Sequence, residues 1–310
     1  MKGLENKYFT YLSNQQHIGV YSNIVDFTPP SRDEGNRVDS YPELLEKIAS
    51  IRFNNPAFDI FFRGQSKDYS INASGGQGST SSLYPSIFRN VPNKPPSSIS
   101  SPDITRKRFE ILDQATQHFI DLVDEQLENY EKRIFKRIPI LRWAILQHYE
   151  ICDTPLLDVT PTLNIALSFA IGAGNDPFYL YGIAMPRQTQ VVTTSIIAET
   201  TSINLTQICP PSFHRPHFQN GYLLGEYPSV INYETQERGE TKSAYNFSRR
   251  LIAKFIITNP NSILETGFDK LDNEILLPNA NDKLMPIVKE VGNRIEGIKD
   301  ELNKLIWVND

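Results

Sequence analysis

The residues with the clearest chemical potential lie in the stretch Phe61-Phe62-Arg63-Gly64-Gln65. The two apolar residues predict the end of a buried strand, followed by a turn that carries the arginine. An arginine guanidinium presents a planar fork of donors that suits phosphate or carboxylate. Gly64 permits a backbone conformation, or a close approach, that a side chain would block. The stretch therefore predicts either an anion contact at Arg63 or an internal salt bridge beside a turn.

Two other segments contain residue types that are used in phosphate or metal sites. Residues 71–82 are rich in Gly, Ser and Asn, but they lack the lysine and the spacing of a P-loop, so we interpret them as a flexible loop. His214 and His217 are three residues apart, which on a strand places them on opposite faces. Without a third ligand nearby in the sequence, we predict no metal site.

Length, composition and charge limit the class of protein. A chain of 310 residues with 39% hydrophobic residues can bury the core of one large domain or two modest ones. The formal net charge of -5 argues against a protein that mainly coats nucleic acid or an anionic membrane. Only Cys152 and Cys209 are present, too few for a disulfide scaffold. With no signal peptide and no run of about 18 apolar residues, we expect a soluble cytoplasmic protein.

Apolar periodicity predicts helices in several parts of the chain. One is predicted to begin at Tyr41, with Ser40 as its cap, and to end at Asn54. A long amphipathic helix is predicted from Phe109 to Ile134. Shorter helices are predicted at about 141–149, 161–170, 261–267 and 284–305.

Apolar runs predict the strands. The clearest runs are 178–185 and 251–258, and 58–62 is shorter but strongly apolar. Helices concentrated in the middle and at the end, with strands around them, predict an α+β fold with a mixed or mostly antiparallel sheet. Weaker strand signals lie at 18–21, 191–197 and 276–278.

Three motifs follow one another along the chain: Phe62-Arg63-Gly64-Gln65, then Gln147-His148-Tyr149 with Leu156-Leu157-Asp158-Val159-Thr160, and then Gln219-Asn220-Gly221-Tyr222. Together and in this order they resemble the FRG domain family, which is named for its Phe-Arg-Gly core. Agreement extends to Leu83-Tyr84-Pro85-Ser86 with Arg89, and to the late pattern Gly267-Phe268 with Leu277-Pro278.

The chain departs from the family pattern at three places. Glu150 follows the His-Tyr pair, where the family commonly has glycine. The sequence Asp153-Thr154-Pro155 stands where Pro-Thr-Arg is common, and Val159 stands where tryptophan is common.

The resemblance implies an ADP-ribosyltransferase-like fold, with a split mixed or antiparallel sheet, a helical insertion and a cleft that binds NAD. It predicts an irregular entry at 1–40, an FRG domain at 41–290 with its helical part at about 103–172, and a C-terminal helix at 291–310. It also implies NAD, as substrate or ligand, and a role in bacterial or phage conflict systems, as a toxin or in phage defence.

The resemblance also implies the roles of single residues. Arg63, Gly64 and Gln65 would bind the cofactor, with the Arg63 fork on the pyrophosphate. His148 would contact the ribose, Tyr149 would form an aromatic wall for nicotinamide, and Gln219, on a late strand, would occupy the catalytic-acid position.

Gln219 is the weakest of these assignments. An amide can hydrogen-bond the ribose but cannot act as a general base. Glu150 and Glu226 are acids that could substitute, although their spacing selects neither. Tyr149 as a packed core aromatic and His148 as a structural histidine also remain open.

The leading hypothesis from the sequence is an NAD-using transferase or NAD glycohydrolase. Two alternatives are a nucleotide-binding or sensing module without chemistry, and a protein-interaction factor that binds a protein target through the proline-rich segment at 91–102. Neither nucleic acid nor a membrane is expected as a partner.

Overall fold

The computed structural model describes residues 30–72, 79–89, 100–172, 177–196, 198–232, 245–277 and 281–308. The predicted strand at 18–21, residues 73–78 of the glycine-rich segment and residues 91–99 of the proline-rich segment therefore lie outside the described residues. Both helices and strands are present, which confirms the α+β class. The chain forms two compact units. The first unit is Met1–Leu83, Val159–Thr189 and Asn246–Asn273, and the second is Tyr84–Asp158, Gln190–Tyr245 and Glu274–Asp310.

The strands in chain order are β1 (Asn36–Arg37), β2 (Phe58–Gln65), β3 (Ser70–Asn72), β4 (Ser79–Ser81), β5 (Leu157–Val159), β6 (Phe178–Pro186), β7 (Val192–Ser195), β8 (Thr200–Asn204), β9 (Tyr222–Glu226) and β10 (Leu251–Ile257). The helices are α1 (Tyr41–Asn54), α2 (Pro102–Gln126), α3 (Asn129–Arg137), α4 (Ile140–His148), α5 (Leu163–Gly172), α6 (Leu205–Ile208), α7 (His214–Phe218), α8 (Ser229–Asn232), α9 (Pro260–Glu265), α10 (Asn273–Leu276), α11 (Met285–Arg294) and α12 (Glu296–Val308).

The first unit is built on a mixed four-stranded sheet in the order β1-β10-β6-β2. β1 is parallel to β10, and the other two pairs are antiparallel. Helices α1 and α5 contribute to the core on one face of this sheet. As predicted, α1 begins after Ser40, whose hydroxyl oxygen accepts a hydrogen bond from the Glu43 N–H at 3.3 Å. Leu44 and Ile48 of α1 and Ala166 and Leu167 of α5 are buried in that core.

Strand β2 is longer than the sequence predicts. The predicted turn at Arg63 is wrong, because Arg63 and Gln65 continue the strand and pair with Tyr181 and Tyr179 of β6. Gly64 is needed for close approach: a Cβ there would lie 2.1 Å from the carbonyl oxygen of Ala166. The absence of a side chain lets α5 pack directly on the strand backbone.

The second unit contains a four-stranded sheet in the order β5-β9-β8-β7, together with α2, α3, α4, α11 and α12. The single long helix predicted from Phe109 to Ile134 is wrong, because α2 ends at Gln126 and α3 begins at Asn129. Glu128 and Glu131 form a capping box that starts the new helix.

Three other segments differ from the prediction. His214 and His217 lie on helix α7 rather than on a strand. Residues 273–276 form helix α10, whereas a strand end was expected at 276–278, of which Pro278 lies outside the described part. The final helix divides into α11 and α12. The predicted domain boundaries remain a prediction.

Candidate functional site

The predicted cofactor-binding residues lie on the first unit's sheet. Ile60 and Phe62 of β2 belong to the core face, so the alternation of a strand places Arg63 and Gln65 on the other face. Both side chains are half-buried. Tyr181 of β6 is the cross-strand partner of Arg63, and cross-strand partners share a face. We call this the arginine face.

Two charges on the arginine face neutralise each other. Lys254 of β10 is buried, and its ammonium contacts Asp68 Oδ2 at 2.8 Å and Ser81 Oγ at 3.1 Å. Asp68 Oδ1 accepts a hydrogen bond from the Tyr181 hydroxyl at 2.9 Å. Burial and the nearby Asp68 carboxylate raise the pKa of Tyr181, so its hydroxyl remains a donor. The Lys254 charge is therefore neutralised by Asp68.

Gln65 supplies an acceptor on the same face. Its Oε1 atom is buried and has no hydrogen-bond partner among the described residues. A buried acceptor without a donor costs about 1–3 kcal/mol. A ligand hydroxyl that donated to Gln65 Oε1 would recover this cost. Arg63 shares this face, and a guanidinium together with an amide acceptor is suited to a ligand that carries both phosphate and hydroxyl groups.

The Gln147-His148-Tyr149 motif ends helix α4 in the second unit. His148 is buried, and its Nδ1 lies 3.0 Å from Asp158 Oδ1. The Gln147 amide donates to Asp158 Oδ2 at 2.8 Å and accepts from the Thr154 hydroxyl at 2.7 Å. Ser86 also donates to Gln147. Residues of the second motif thus form one hydrogen-bonded network with Ser86 and Thr154.

Tyr149 lies in the packed interior of the second unit. Its hydroxyl donates to Asp282 Oδ2 at 2.7 Å, and the Arg215 guanidinium lies 5.7 Å from its ring centroid. Burial, followed by the Asp282 charge, raises the pKa of Tyr149. These contacts favour a packed core aromatic over a wall for nicotinamide.

Gln219 does not lie on a strand, so that part of its assignment is wrong. It is the C-cap of α7, it is buried, and its amide donates to the carbonyl oxygen of Leu276. The Gln219 N–H also donates to the Arg215 carbonyl oxygen at 3.1 Å. The predicted catalytic-acid position is therefore occupied by an amide that is already hydrogen-bonded within the second unit.

The two acids considered as substitutes differ in environment. Glu226 ends β9 and is buried. Glu150 is 72% exposed in its side chain and pairs with Arg215 at 2.6 Å. Glu150 also has φ 60, the left-handed region that favours glycine. This backbone conformation gives a physical reason for the glycine that the family commonly has here.

The late motif meets the His-Tyr motif inside the second unit. Gly221 packs on the imidazole of His148, and a Cβ at Gly221 would lie 2.6 Å from His148 Cε1. The described residues place no hydrogen-bond partner at His148 Nε2, which is also buried. The two motifs are therefore in direct contact.

Replacing Tyr149 by Phe tests the structural assignment. Tyr149→Phe removes the donor to the buried Asp282 carboxylate, so we expect a loss of about 1.5–3 kcal/mol in the free energy of unfolding. Urea denaturation measures this loss. Tyr69→Phe is the control, because the Tyr69 side chain is exposed, so this change is expected to alter the stability by less than about 1 kcal/mol. Equal unfolding curves for Tyr149→Phe and the wild type would contradict the assignment.

Asp282 and Arg215 were missed from the sequence. Asp282 Oδ2 accepts from the Arg215 N–H at 3.0 Å, and Asp282 Oδ1 accepts from the Leu284 N–H at 3.0 Å. An aspartate just before a predicted helix is a capping signal that could have been noticed. No pattern in the neighbouring sequence predicts that Asp282 contacts Tyr149.

Two kinds of feature are absent from the described residues. They contain no helix long and apolar enough to cross a membrane. They also contain no group of three or more His, Cys, Asp or Glu side chains placed to hold a metal ion.

Comparison with known proteins identifies one family. Residues 59–177 match the family model of the FRG domain. The resemblance inferred from the motifs is confirmed for these residues, which include Arg63 and the Gln147-His148-Tyr149 motif. The late motif at 219–222 lies beyond the match. No curated protein and no solved structure matches the chain.

Proposed function

We propose that the protein binds NAD or a related nucleotide through the arginine face of the first unit. The observation that carries the proposal is Gln65, which shares the arginine face with Arg63 and whose buried Oε1 has no donor among the described residues. A bidentate guanidinium matches the geometry of a pyrophosphate oxygen pair. A ribose hydroxyl supplies the donor that Gln65 requires.

The proposal extends to an ADP-ribosyltransferase-like fold, with a split sheet and a helical insertion. It is supported by one four-stranded sheet in each unit and by the helices between β4 and β5. Of the two forms of the proposal, a nucleotide-binding module that does no chemistry agrees best with the contacts of Gln219 and Tyr149 in the second unit. Gln219, assigned to the acid position, is an amide bonded to Leu276, and Tyr149 is bonded to Asp282.

A second candidate is an enzyme that cleaves NAD, as a transferase or glycohydrolase. It is favoured by His148, whose Nδ1 faces Asp158 and whose Nε2 has no partner in the described part of the chain. A carboxylate that orients an imidazole is a common arrangement for a general base. If the protein cleaves NAD, it could act as an effector against phage or host.

Arg63→Ala tests the proposed binding site. We expect NAD affinity to fall about 10- to 100-fold, because a charge-assisted contact worth about 1.5–3 kcal/mol is lost. Isothermal titration calorimetry measures the affinity, and Arg63→Lys, which keeps the charge but not the fork, is expected to recover only part of it. Arg52→Ala is the control. Arg52 lies over the ring of Phe62, which is on the core face of β2 and thus opposite to Arg63, so its loss is expected to leave NAD affinity unchanged.

The same titration separates the two candidates when nicotinamide is followed by chromatography. Binding without nicotinamide release supports the module, and release that is lost in His148→Ala supports the enzyme. Wild-type affinity in Arg63→Ala, or no NAD binding by the wild type, would overturn the proposal. In the second case, capture of a stoichiometric protein partner would favour an interaction factor.

A further inference from the structure

The second unit has a pocket that the proposed function does not use. Its volume is about 390 Å³, at the small end of the range of about 300–1,000 Å³ for ligand pockets. Lys299 and Asn303 of α12 form one wall, and Glu150 and Asp153 lie on the chain after α4. Gln147, held by Ser86, Thr154 and Asp158, also lines the pocket, so part of its wall is held in place by hydrogen bonds.

The charges around the pocket leave one cation uncompensated. Asp153 pairs with Arg108 at 3.1 Å, and Glu150 pairs with Arg215 at 2.6 Å. The Lys299 ammonium donates to the carbonyl oxygen of Ile151 at 2.6 Å. No carboxylate of the described residues pairs with Lys299. The lining thus carries two cations and two carboxylates, and Lys299 is the cation at which an anionic group would find no competing acid.

The remaining polar atoms specify what else the ligand carries. Glu150 Oε2 and Asp153 Oδ1 have no hydrogen-bond partner within the described ranges, since each acid uses its other oxygen for an arginine. Ionised carboxylates only accept hydrogen bonds. The side chains are 72% exposed for Glu150 and 38% for Asp153, so a ligand that displaces water from them brings hydroxyl or amino donors, while its anionic end lies at Lys299.

The end of helix α4 places Glu150 on the pocket wall. Glu150 has φ 60, and this conformation closes the helix, because the Ile151 N–H donates to the Leu146 carbonyl oxygen and the Glu150 N–H to the Gln147 carbonyl oxygen, each at 2.9 Å. The buried Arg215 guanidinium pairs with the Glu150 carboxylate at 2.6 Å.

We propose that this pocket binds a small organic anion that also carries hydroxyl or amino groups. Lys299 binds the anionic end, Glu150 and Asp153 accept from the donors, and the Asn303 amide completes the wall. A sugar phosphate and an amino acid both have this chemistry. The site is separate from the arginine face and does not depend on NAD binding.

The test uses three probes on the full chain: ribose 5-phosphate, L-serine and inorganic phosphate. Calorimetry is expected to show binding of either ribose 5-phosphate or L-serine. The probe that binds tells whether the anionic group is a phosphate or a carboxylate. Lys299→Met is expected to weaken that binding about tenfold or more. Lys304→Met is the matched control, because Lys304 is an exposed lysine on the same helix outside the pocket.

Two further results decide the assignment. Inorganic phosphate is expected to bind at least about tenfold more weakly than the organic probe, because it lacks the amino and sugar hydroxyl donors. Arg63→Ala is expected to leave binding of the organic probe unchanged, which separates this site from the proposed NAD site. Binding of neither organic probe, or equal binding by Lys299→Met and Lys304→Met with unchanged thermal unfolding, would overturn the proposal.

Discussion

Gly64→Ala is expected to abolish stable folding of the first unit. The added Cβ would lie 2.1 Å from the Ala166 carbonyl oxygen and 2.7 Å from the Ala170 Cβ. Both atoms belong to α5 and lie on or next to its backbone, so neither can rotate away. Relief requires α5 to move off the sheet, which exposes the core that contains Phe62 and Leu167. We expect a loss of about 4 kcal/mol or more, a large part of a typical domain stability of about 5–15 kcal/mol.

Gly182→Ala is the matched control for this prediction. Gly182 pairs with Phe62 in the adjacent strand, and the nearest atoms to a Cβ there are at 3.5 Å, which is ordinary contact. We expect it to change the free energy of unfolding by less than about 1 kcal/mol. Urea denaturation and soluble yield compare the two variants. If Gly64→Ala folds and unfolds at the same urea concentration as Gly182→Ala, α5 does not pack as closely on β2 as described here.

Gly221→Ala is expected to have the second largest effect. Its Cβ would lie 2.6 Å from His148 Cε1 and 3.0 Å from His148 Nε2. The imidazole is buried and held by Asp158, so moving it breaks a hydrogen bond and leaves a carboxylate less well satisfied. We expect a loss of about 2–4 kcal/mol in the free energy of unfolding.

A double-mutant cycle identifies the cause of that loss. In a His148→Ala background the clash partner is gone, so Gly221→Ala is expected to cost at least about 1 kcal/mol less than in the wild type. Gly292→Ala is the control: no atom lies within 4 Å of its added Cβ, and it lies within helix α11. It is expected to stabilise by about 0.5–1 kcal/mol. Additive losses in the cycle would rule out contact between Gly221 and His148 as the cause.

These two glycines belong to the motifs that suggested the family, and the structure gives each a steric reason. Gly64 lets a helix backbone approach a strand, and Gly221 lets a buried imidazole approach a loop. Neither reason involves a ligand. For these positions, family resemblance therefore reflects packing, whereas Arg63 and Gln65 keep side chains that a nucleotide could use.

The sequence alone determined the elements that depend on neighbouring residues. Ser40 and the apolar spacing after it placed α1, and the apolar runs placed β6 and β10, because capping and side-chain periodicity are local properties. It also placed Arg63 after a buried run. It did not predict the break after Gln126, because no glycine or proline marks it, although Glu128 and Glu131 carried the capping signal.

Only the tertiary structure decided what the candidate residues contact. Tyr149 meets Asp282 across 133 positions in the sequence, and no local pattern encodes that pairing. The same holds for Lys254 and Asp68, which are 186 positions apart. Side-chain types and spacing limit which chemistry is available, but burial and long-range partners arise from packing of distant segments. That packing leaves Gln65 Oε1 without a donor in the described chain, while Tyr149 and Gln219 are hydrogen-bonded inside the second unit.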